Sequence, residues 1–378
     1  MSEHRLHGRA FIRGAIQSDM LITLRDGLIA DSAQVAQRPA NAERIDGLIV
    51  PGFIDLHVHG GDGADFMDGD GEANARILAF HARHGTTALA ATTLSGSPHD
   101  LQHAVASIIG TLQSSPRGAR ICAIHLEGPY INLHRAGAQD RPSIRPADIQ
   151  EIATLLELAP PKFRWIITLA PEIAGALALI EHFRSRILFS IGHTSADYSE
   201  AVAALEWGAS HFTHLFNAMT GMHHREPGVV GAALVSTDAT AELIADGIHV
   251  HPAVLRIATM VMPNRVALVT DAIRACGLAD GQYRLYDTEV TVSDGAARMS
   301  TGTLAGSMLT MARAVQNMVE LAGLPVHSVI PLATEVPARI LGLSDRKGKL
   351  EGGFDGDVVV LSPKFAVERV FVRGEPID

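Results

Sequence analysis

Two histidines one residue apart close an apolar run: Pro51-Gly52-Phe53-Ile54-Asp55-Leu56-His57-Val58-His59-Gly60-Gly61. On a β-strand, positions i and i+2 share a face, so His57 and His59 project together from the strand's C-terminal end. Neutral imidazole is the commonest metal ligand near neutral pH, and the glycines that follow let the chain turn away and leave a bound ion open to substrate. Later apolar runs end in partners for the pair: His125-Leu126-Glu127, Gly192-His193-Thr194, His214-Leu215-Phe216-Asn217 and Thr270-Asp271-Ala272. Several imidazoles with two carboxylates make a borderline-soft, open N/O site suited to Zn2+ or Fe2+, and such an ion lowers the pKa of water to roughly 7.

Residues this far apart in sequence meet only if the fold gathers the ends of their strands. Short apolar runs rich in β-branched or small residues predict eight strands, at 51–59, 86–93, 120–127, 163–170, 187–193, 211–216, 241–249 and 265–271. Helix-period segments lie between most of them, among them 72–84, 98–112, 146–158 and 195–207. Eight strand–helix units fit an α/β fold of the (β/α)8 TIM-barrel type better than an open doubly wound sheet, because no Gly-x-Gly-x-x-Gly turn follows the first strand. In a barrel the C-terminal strand ends share one mouth, which places His57, His59, Glu127, His193, His214 and Asp271 around one cavity. Residues 281–299 read as a hairpin inserted after the last strand, turning at Asp294-Gly295. Residues 1–50 and 346–378 show short alternating runs broken by glycine, so both termini are expected to pair into a small β-sandwich domain beside a barrel of residues 51–345.

Composition narrows the class further. A chain of 378 residues, 47% hydrophobic and 19% charged, can bury one large core with a small satellite. The N-terminus is polar and leads into no apolar segment, and no run approaches the roughly 18 apolar residues of a membrane span, so a cytoplasmic protein without membrane contact is expected. Cys122 and Cys276 lie far apart with no framework spacing, which fits reduced thiols. A net charge of −10 without a basic run excludes a nucleic-acid surface, and any anionic substrate must be held by a few placed cations.

At these residues the chain resembles the amidohydrolase superfamily, and within it the N-acetylglucosamine-6-phosphate deacetylase family. The matching motifs are those above together with Arg225-Glu226-Pro227-Gly228, Ala245-Asp246-Gly247-Ile248-His249 and Leu304-Ala305-Gly306-Ser307, in the family's order over nearly the whole barrel. The resemblance implies that Glu127, His193 and His214 hold the main divalent ion, Zn2+ or Fe2+. It implies that His57 and His59 match a pair that holds a second ion in some members, and that Asp271 is the catalytic acid and base. Asn217, Ala218 and Arg225 then resemble sugar-phosphate contacts, with Arg225 reaching the neighbouring site of a homodimer. His249 resembles a substrate-binding histidine, Leu304, Ala305 and Gly306 line the same pocket, and Ala138 and Gln139 fall among the substrate contacts. Many relatives read Gly-Ala-His where this chain has Gly137-Ala138-Gln139; glutamine can donate a hydrogen bond to a scissile carbonyl but carries no charge.

The activity so implied is metal-assisted hydrolysis of N-acetylglucosamine-6-phosphate to glucosamine-6-phosphate and acetate. Asp271 takes a proton from the attacking water and returns it to the sugar nitrogen, while Gln139 or His249 helps stabilise the oxyanion. Alternatives are the galacto epimer as substrate, a cyclic-amide hydrolase, or a non-catalytic sugar-phosphate binder. Cyclic-amide hydrolases generally use a carboxylated lysine from the fourth strand, and residues 163–170 contain none. Gly-x-Ser-x-Gly is absent, which disfavours a serine nucleophile. Plainer roles are expected elsewhere: His125 as a hydrogen-bonded core residue, His211, His223, His224 and His251 outside the chemistry, Met219 and Met222 in packing, and Asp345-Arg346-Lys347 in a solvated turn. Asp55 is expected to orient an imidazole.

Overall fold

Strands that are covered on both faces read as continuous apolar runs, and the barrel strands have that character. Phe53–Val58 is buried at every position and Thr86–Thr93 at all eight. The structure is a computed structural model that describes residues 3–377; Met1, Ser2 and Asp378, which the expected domain boundaries include, lie outside the described residues. Eight parallel strands follow one another in spatial order as they do in sequence: Phe53–Val58, Thr86–Thr93, Arg120–Glu127, Arg164–Leu169, Leu188–Ile191, His211–Phe212, Thr240–Ile244 and Val266–Val269. The first and eighth meet just beyond their ends, where Asp271 N–H donates to His57 O at 2.8 Å and His59 N–H to Ala272 O at 2.9 Å. The expected barrel is therefore present and closed at the mouth.

Helix starts are set by caps. Ser97 accepts from Asp100 N–H ahead of Pro98–Ser114, with proline in the first turn, as the sequence suggests. Two helices begin later than expected. Asp148 caps Ile149–Glu157, and Asp197 forms a capping box with Glu200 at the head of Tyr198–Trp207, so Pro146 and Ser195 lie in the preceding loops. Six of the eight barrel strands are shorter than expected, two of them by four or more residues at the C-terminal end. The sixth is only His211–Phe212, and the seventh ends at Ile244, which places His249 in the loop beyond it.

The termini form one seven-stranded sheet, in the order Glu375–Ile377, Val367–Val372, Val358–Leu361, Glu43–Pro51, His4–Ile12, Ala15–Arg25, Leu28–Gln34. The sandwich thus comes from a single sheet that folds back on itself. Its last strand returns to the loop before Val358–Leu361 through Ile29 N–H to Phe354 O at 2.8 Å, around a core that includes Leu6, Ile22, Ile49, Val360 and Phe371. The expected hairpin is a three-stranded sheet, Gly281–Leu285, Thr288–Ser293 and Ala296–Arg298, with Asp294-Gly295 as its second turn.

Candidate active site

Four imidazoles and two carboxylates crowd the barrel mouth. Glu127, the last residue of the third strand, has Oε1 at 3.1 Å from His193 Nε2, 3.0 Å from His214 Nε2 and 3.3 Å from His57 Nε2. Its Oε2 lies 3.2 Å from His59 Nε2. Asp271 Oδ1 lies 3.2 Å from His59 Nε2 and 3.5 Å from His57 Nε2. Two of the rings are held from behind: His57 Nδ1 by Glu242 Oε2 at 2.9 Å, and His193 Nδ1 by the Arg135 carbonyl at 2.7 Å. An acceptor at Nδ1 keeps the proton there and turns the Nε2 lone pair inward. The inward pairs face one another, His57 to His59 at 3.2 Å and His193 to His214 at 3.1 Å, with Glu127 between them. Lone pairs so arranged fit a divalent cation. Three ligand groups are present among the described residues: Glu127 with His193 and His214, His57 with His59 and Glu127, and, deeper in the barrel, His57 with His125 and Glu242.

The charges reinforce each other. Burial works against an ionised Glu127, but the neighbouring imidazoles prevail and hold its carboxyl well below the usual range. Burial likewise opposes a protonated His59, yet its bonds to Asp271 and Glu127 push it up to about 9. Asp271 is held below the ordinary carboxylate value by His57 and His59 despite burial, so it is ionised and able to take a proton at neutral pH.

Glu242 is the residue that sequence reasoning missed. It sits fully buried in the seventh strand, accepts the His214 backbone N–H at 3.0 Å, and orients the His57 ring. A lone glutamate inside Thr240–Ile244 was its signal, because a buried charge must be paired. Asp55 does not orient an imidazole as expected: it accepts the backbone N–H groups of His57 and Thr270, each at 3.2 Å, and the Thr270 hydroxyl at 2.5 Å. Burial, partly offset by those bonds, raises it to about 7. Ser307 N–H donates to Asp271 O at 2.7 Å, which fixes the catalytic candidate from the other side. His125 is a core residue, bonded to Leu56 O and Thr168 Oγ1 and pushed down to about 3 by burial and His57.

A cavity of about 310 Å3 opens over this cluster, a volume suited to a small metabolite. His59, Glu127, His193, His214 and Asp271 line it, as do Ala138, Gln139, Asn217, Ala218, His249, Leu304 and Gly306. His57 lies beneath it, fully buried. Ala305 is buried and does not line the cavity, and Arg225 is exposed outside it. His134 and Arg135 line it and were not foreseen, although a cation just before Gly137-Ala138-Gln139 in an acidic chain was a usable signal. A larger cavity of about 770 Å3 lies by Met260, His327 and Arg339 and holds none of these ligands, so chemistry rather than volume marks the site. Gln139 is committed inside the cluster: its Oε1 accepts the Ser95 N–H at 2.6 Å, which leaves its NH2 to donate to Glu127 Oε2.

A closed parallel barrel with such a cluster at its mouth defines a metal-dependent hydrolase. Residues 48–377 match the model of the amidohydrolase family, and the chain belongs to that family, an enzyme family of metal-dependent character. It is 38% identical to an N-acetylglucosamine-6-phosphate deacetylase of Bacillus subtilis over 93% of this chain and 91% of the relative. It is 36% identical to an N-acetylgalactosamine-6-phosphate deacetylase of Escherichia coli O157:H7 over 94% of each. The solved structure of a variant N-acetyl-D-glucosamine-6-phosphate deacetylase from Mycobacterium smegmatis, in complex with N-acetyl-D-glucosamine-6-phosphate, superposes over 100% of both chains with a TM-score of 0.94 at 34% identity.

Proposed function

We propose that this chain hydrolyses the N-acetyl group of N-acetylglucosamine-6-phosphate, releasing acetate and glucosamine-6-phosphate. The observation that carries this is Asp271 placed 3.2 Å from one histidine of a convergent Glu/His cluster, on the floor of a cavity sized for one sugar phosphate. Glu127, His193 and His214 would hold the main ion, Zn2+ or Fe2+, and His57 and His59 a second one. Such an ion supplies Lewis acidity and lowers the pKa of a nearby water. Asp271 takes the proton of the attacking water and delivers it to the sugar nitrogen as the C–N bond breaks. Because Gln139 is already bonded to Ser95 and Glu127, His249 is the remaining side chain for the acetyl oxygen; Asp246 holds its Nδ1 at 2.6 Å.

Phosphate capture is assigned to the backbone around Asn217 and Ala218 and to a cation. Positive φ at Phe216 (82°) and Ala218 (51°) gives a backbone of the kind that gathers N–H groups toward an anion, while the His214, Leu215 and Asn217 N–H groups are already bonded within the chain. Arg225 is exposed beside exposed Met222, at 65%, and the same segment leads to Val235, at 64%, which supports a dimer with Arg225 serving the neighbouring site. Mixing Arg225→Ala with Asp271→Asn protomers tests this: partial recovery of activity in verified heterodimers is expected. No recovery would leave the phosphate to a cation of the same chain, for which Arg135 is placed.

The galacto epimer is retained as a second substrate, since a relative of equal similarity carries that name. Acetate release from both epimers and from the unphosphorylated sugars, on metal-quantified protein, decides the matter. Turnover of neither phosphorylated sugar would overturn the proposal.

A further inference from the structure

At the opposite end of the barrel lies a cleft of about 360 Å3 in which six of eleven lining residues are cations: Arg120, Lys162, Arg164, Arg346, Lys347 and Arg373. The chain as a whole carries 31 lysines and arginines in 378 residues and a net charge of −10, so this concentration runs against its composition. Arg120 and Arg164 are the first residues of the third and fourth barrel strands. Glu127 ends the third strand, so about 23 Å of strand, at roughly 3.3 Å per residue, separates this cleft from the mouth.

Asp345 and Arg346 lie in an exposed turn, as the sequence suggests, but Lys347 does not share it. Lys347 is buried, 2.8 Å from Asp355 and 2.5 Å from Asp357, and Arg346 pairs with Asp355 at 2.8 Å. These two carboxylates are spent on those two cations. The side chains of the other four make no ion pair with a carboxylate among the described residues, although the Arg373 backbone N–H donates to Asp357 at 2.8 Å. Arg120 reaches only Ser115 Oγ at 2.9 Å and Arg164 only the Gly342 carbonyl at 3.2 Å. Burial first, and then the neighbouring charge of Arg373, hold Arg120 below the usual guanidinium range. Asp355 and Asp357 offset part of this charge, yet six cations face two carboxylates, and guanidinium groups in such excess present the fork geometry that takes phosphate oxygens in pairs.

We propose that this cleft binds a small phosphate-bearing anion, at a site separate from the catalytic mouth. Its volume lies within the range of small-molecule sites. Its walls come from the barrel (Arg120, Lys162, Arg164) and from the terminal sheet (Arg373), so a bound anion ties the two together and stabilises the folded chain.

Thermal unfolding and titration calorimetry of the full chain test this, with inorganic phosphate as the probe and NaCl at equal ionic strength as the reference. The expected result is a saturating rise in Tm of about 2–5 °C in phosphate only. Arg120→Gln/Arg373→Gln should abolish the rise and weaken binding about tenfold or more, with acetate release unchanged. Lys162→Gln, at an exposed residue, should weaken binding severalfold. A hexose bisphosphate that binds more tightly than phosphate points to an organic ligand, and equal affinity points to the free ion. The proposal is overturned if the Tm rise matches that in NaCl, or if it persists in the double variant, which would place the ion in the mouth or elsewhere.

Discussion

His57 and His59 reach the cluster by a different route from His193 and His214. The first pair belongs to the end of a strand buried at every position, where alternation alone sets the direction of both rings. His193 and His214 each stand two residues past a strand, with φ of 47° and 29°, and Asp271 stands two residues past Val266–Val269 with φ of 50°. A left-handed conformation costs a residue other than glycine about 1–2 kcal/mol. The barrel therefore holds half of its reactive groups by register and half by strained backbone, and strain is spent on the groups proposed for the main ion and the proton transfer.

The largest effect should come from breaking the main-ion group, in which strand-held Glu127 joins His193 and His214 of the strained half. Glu127→Gln or His193→Asn should lower metal content and acetate release together, toward the detection limit, because three protein ligands are what an open catalytic site uses. His57→Asn or His59→Asn should retain the main ion and lose chiefly a second one. Elemental analysis of the purified variants checks both, and full occupancy in the Glu127 variant would overturn its assignment to the main ion. Asp271→Asn comes next. It should keep its metal and lose roughly two to four powers of ten in kcat, since the amide cannot carry the proton; a near-normal kcat in folded protein would exclude Asp271 as the base.

Glu242→Gln addresses the register-held half. Both the His57 ring and the His214 N–H meet Oε2, so an amide oxygen there could still accept the two bonds, but it brings no negative charge to hold the His57 ring. Metal affinity should fall by about 10–100-fold, the usual effect of losing such a supporting carboxylate, with little change in KM. Competition with a chromophoric chelator measures it.

Register is also what made the first half legible in sequence. The barrel, its closure and the six converging residues follow from alternation and from strand count. What comes from the strained half could be placed only roughly: the two-residue sixth strand and the loop position of His249 depend on turns whose geometry no periodicity encodes. Glu242 was hidden because an apolar strand drew attention to its ends rather than its middle. Lys347 was hidden for a related reason, since its partners Asp355 and Asp357 lie 8 and 10 residues away and a local charge pattern reads as solvated. The termini were recognised as one unit, but whether they make two sheets or one is set by the pairing of Glu43–Pro51 with both His4–Ile12 and Val358–Leu361, a long-range choice.

The smallest expected effect concerns Gln139, which connects Glu127, held at the end of its strand, to Ser95 at the mouth. Its amide is oriented without ambiguity: a backbone N–H can only donate, so Oε1 faces Ser95 and the NH2 group faces Glu127. Glutamine at this position therefore steadies a ligand carboxylate on the Oε2 side, while Oε1 faces His193 and His214. Gln139→Ala should loosen Glu127 and lower metal affinity by about tenfold, the low end of the range for an outlying hydrogen bond to a ligand. It should also leave Ser95 N–H without its acceptor, a loss of about 1–3 kcal/mol in stability visible in denaturant unfolding. If Gln139 instead served the acetyl carbonyl, kcat would fall at saturating metal while metal affinity stayed unchanged. Measuring acetate release across a metal titration separates the two outcomes, because the loss expected here is restored by excess ion and a lost carbonyl contact is not.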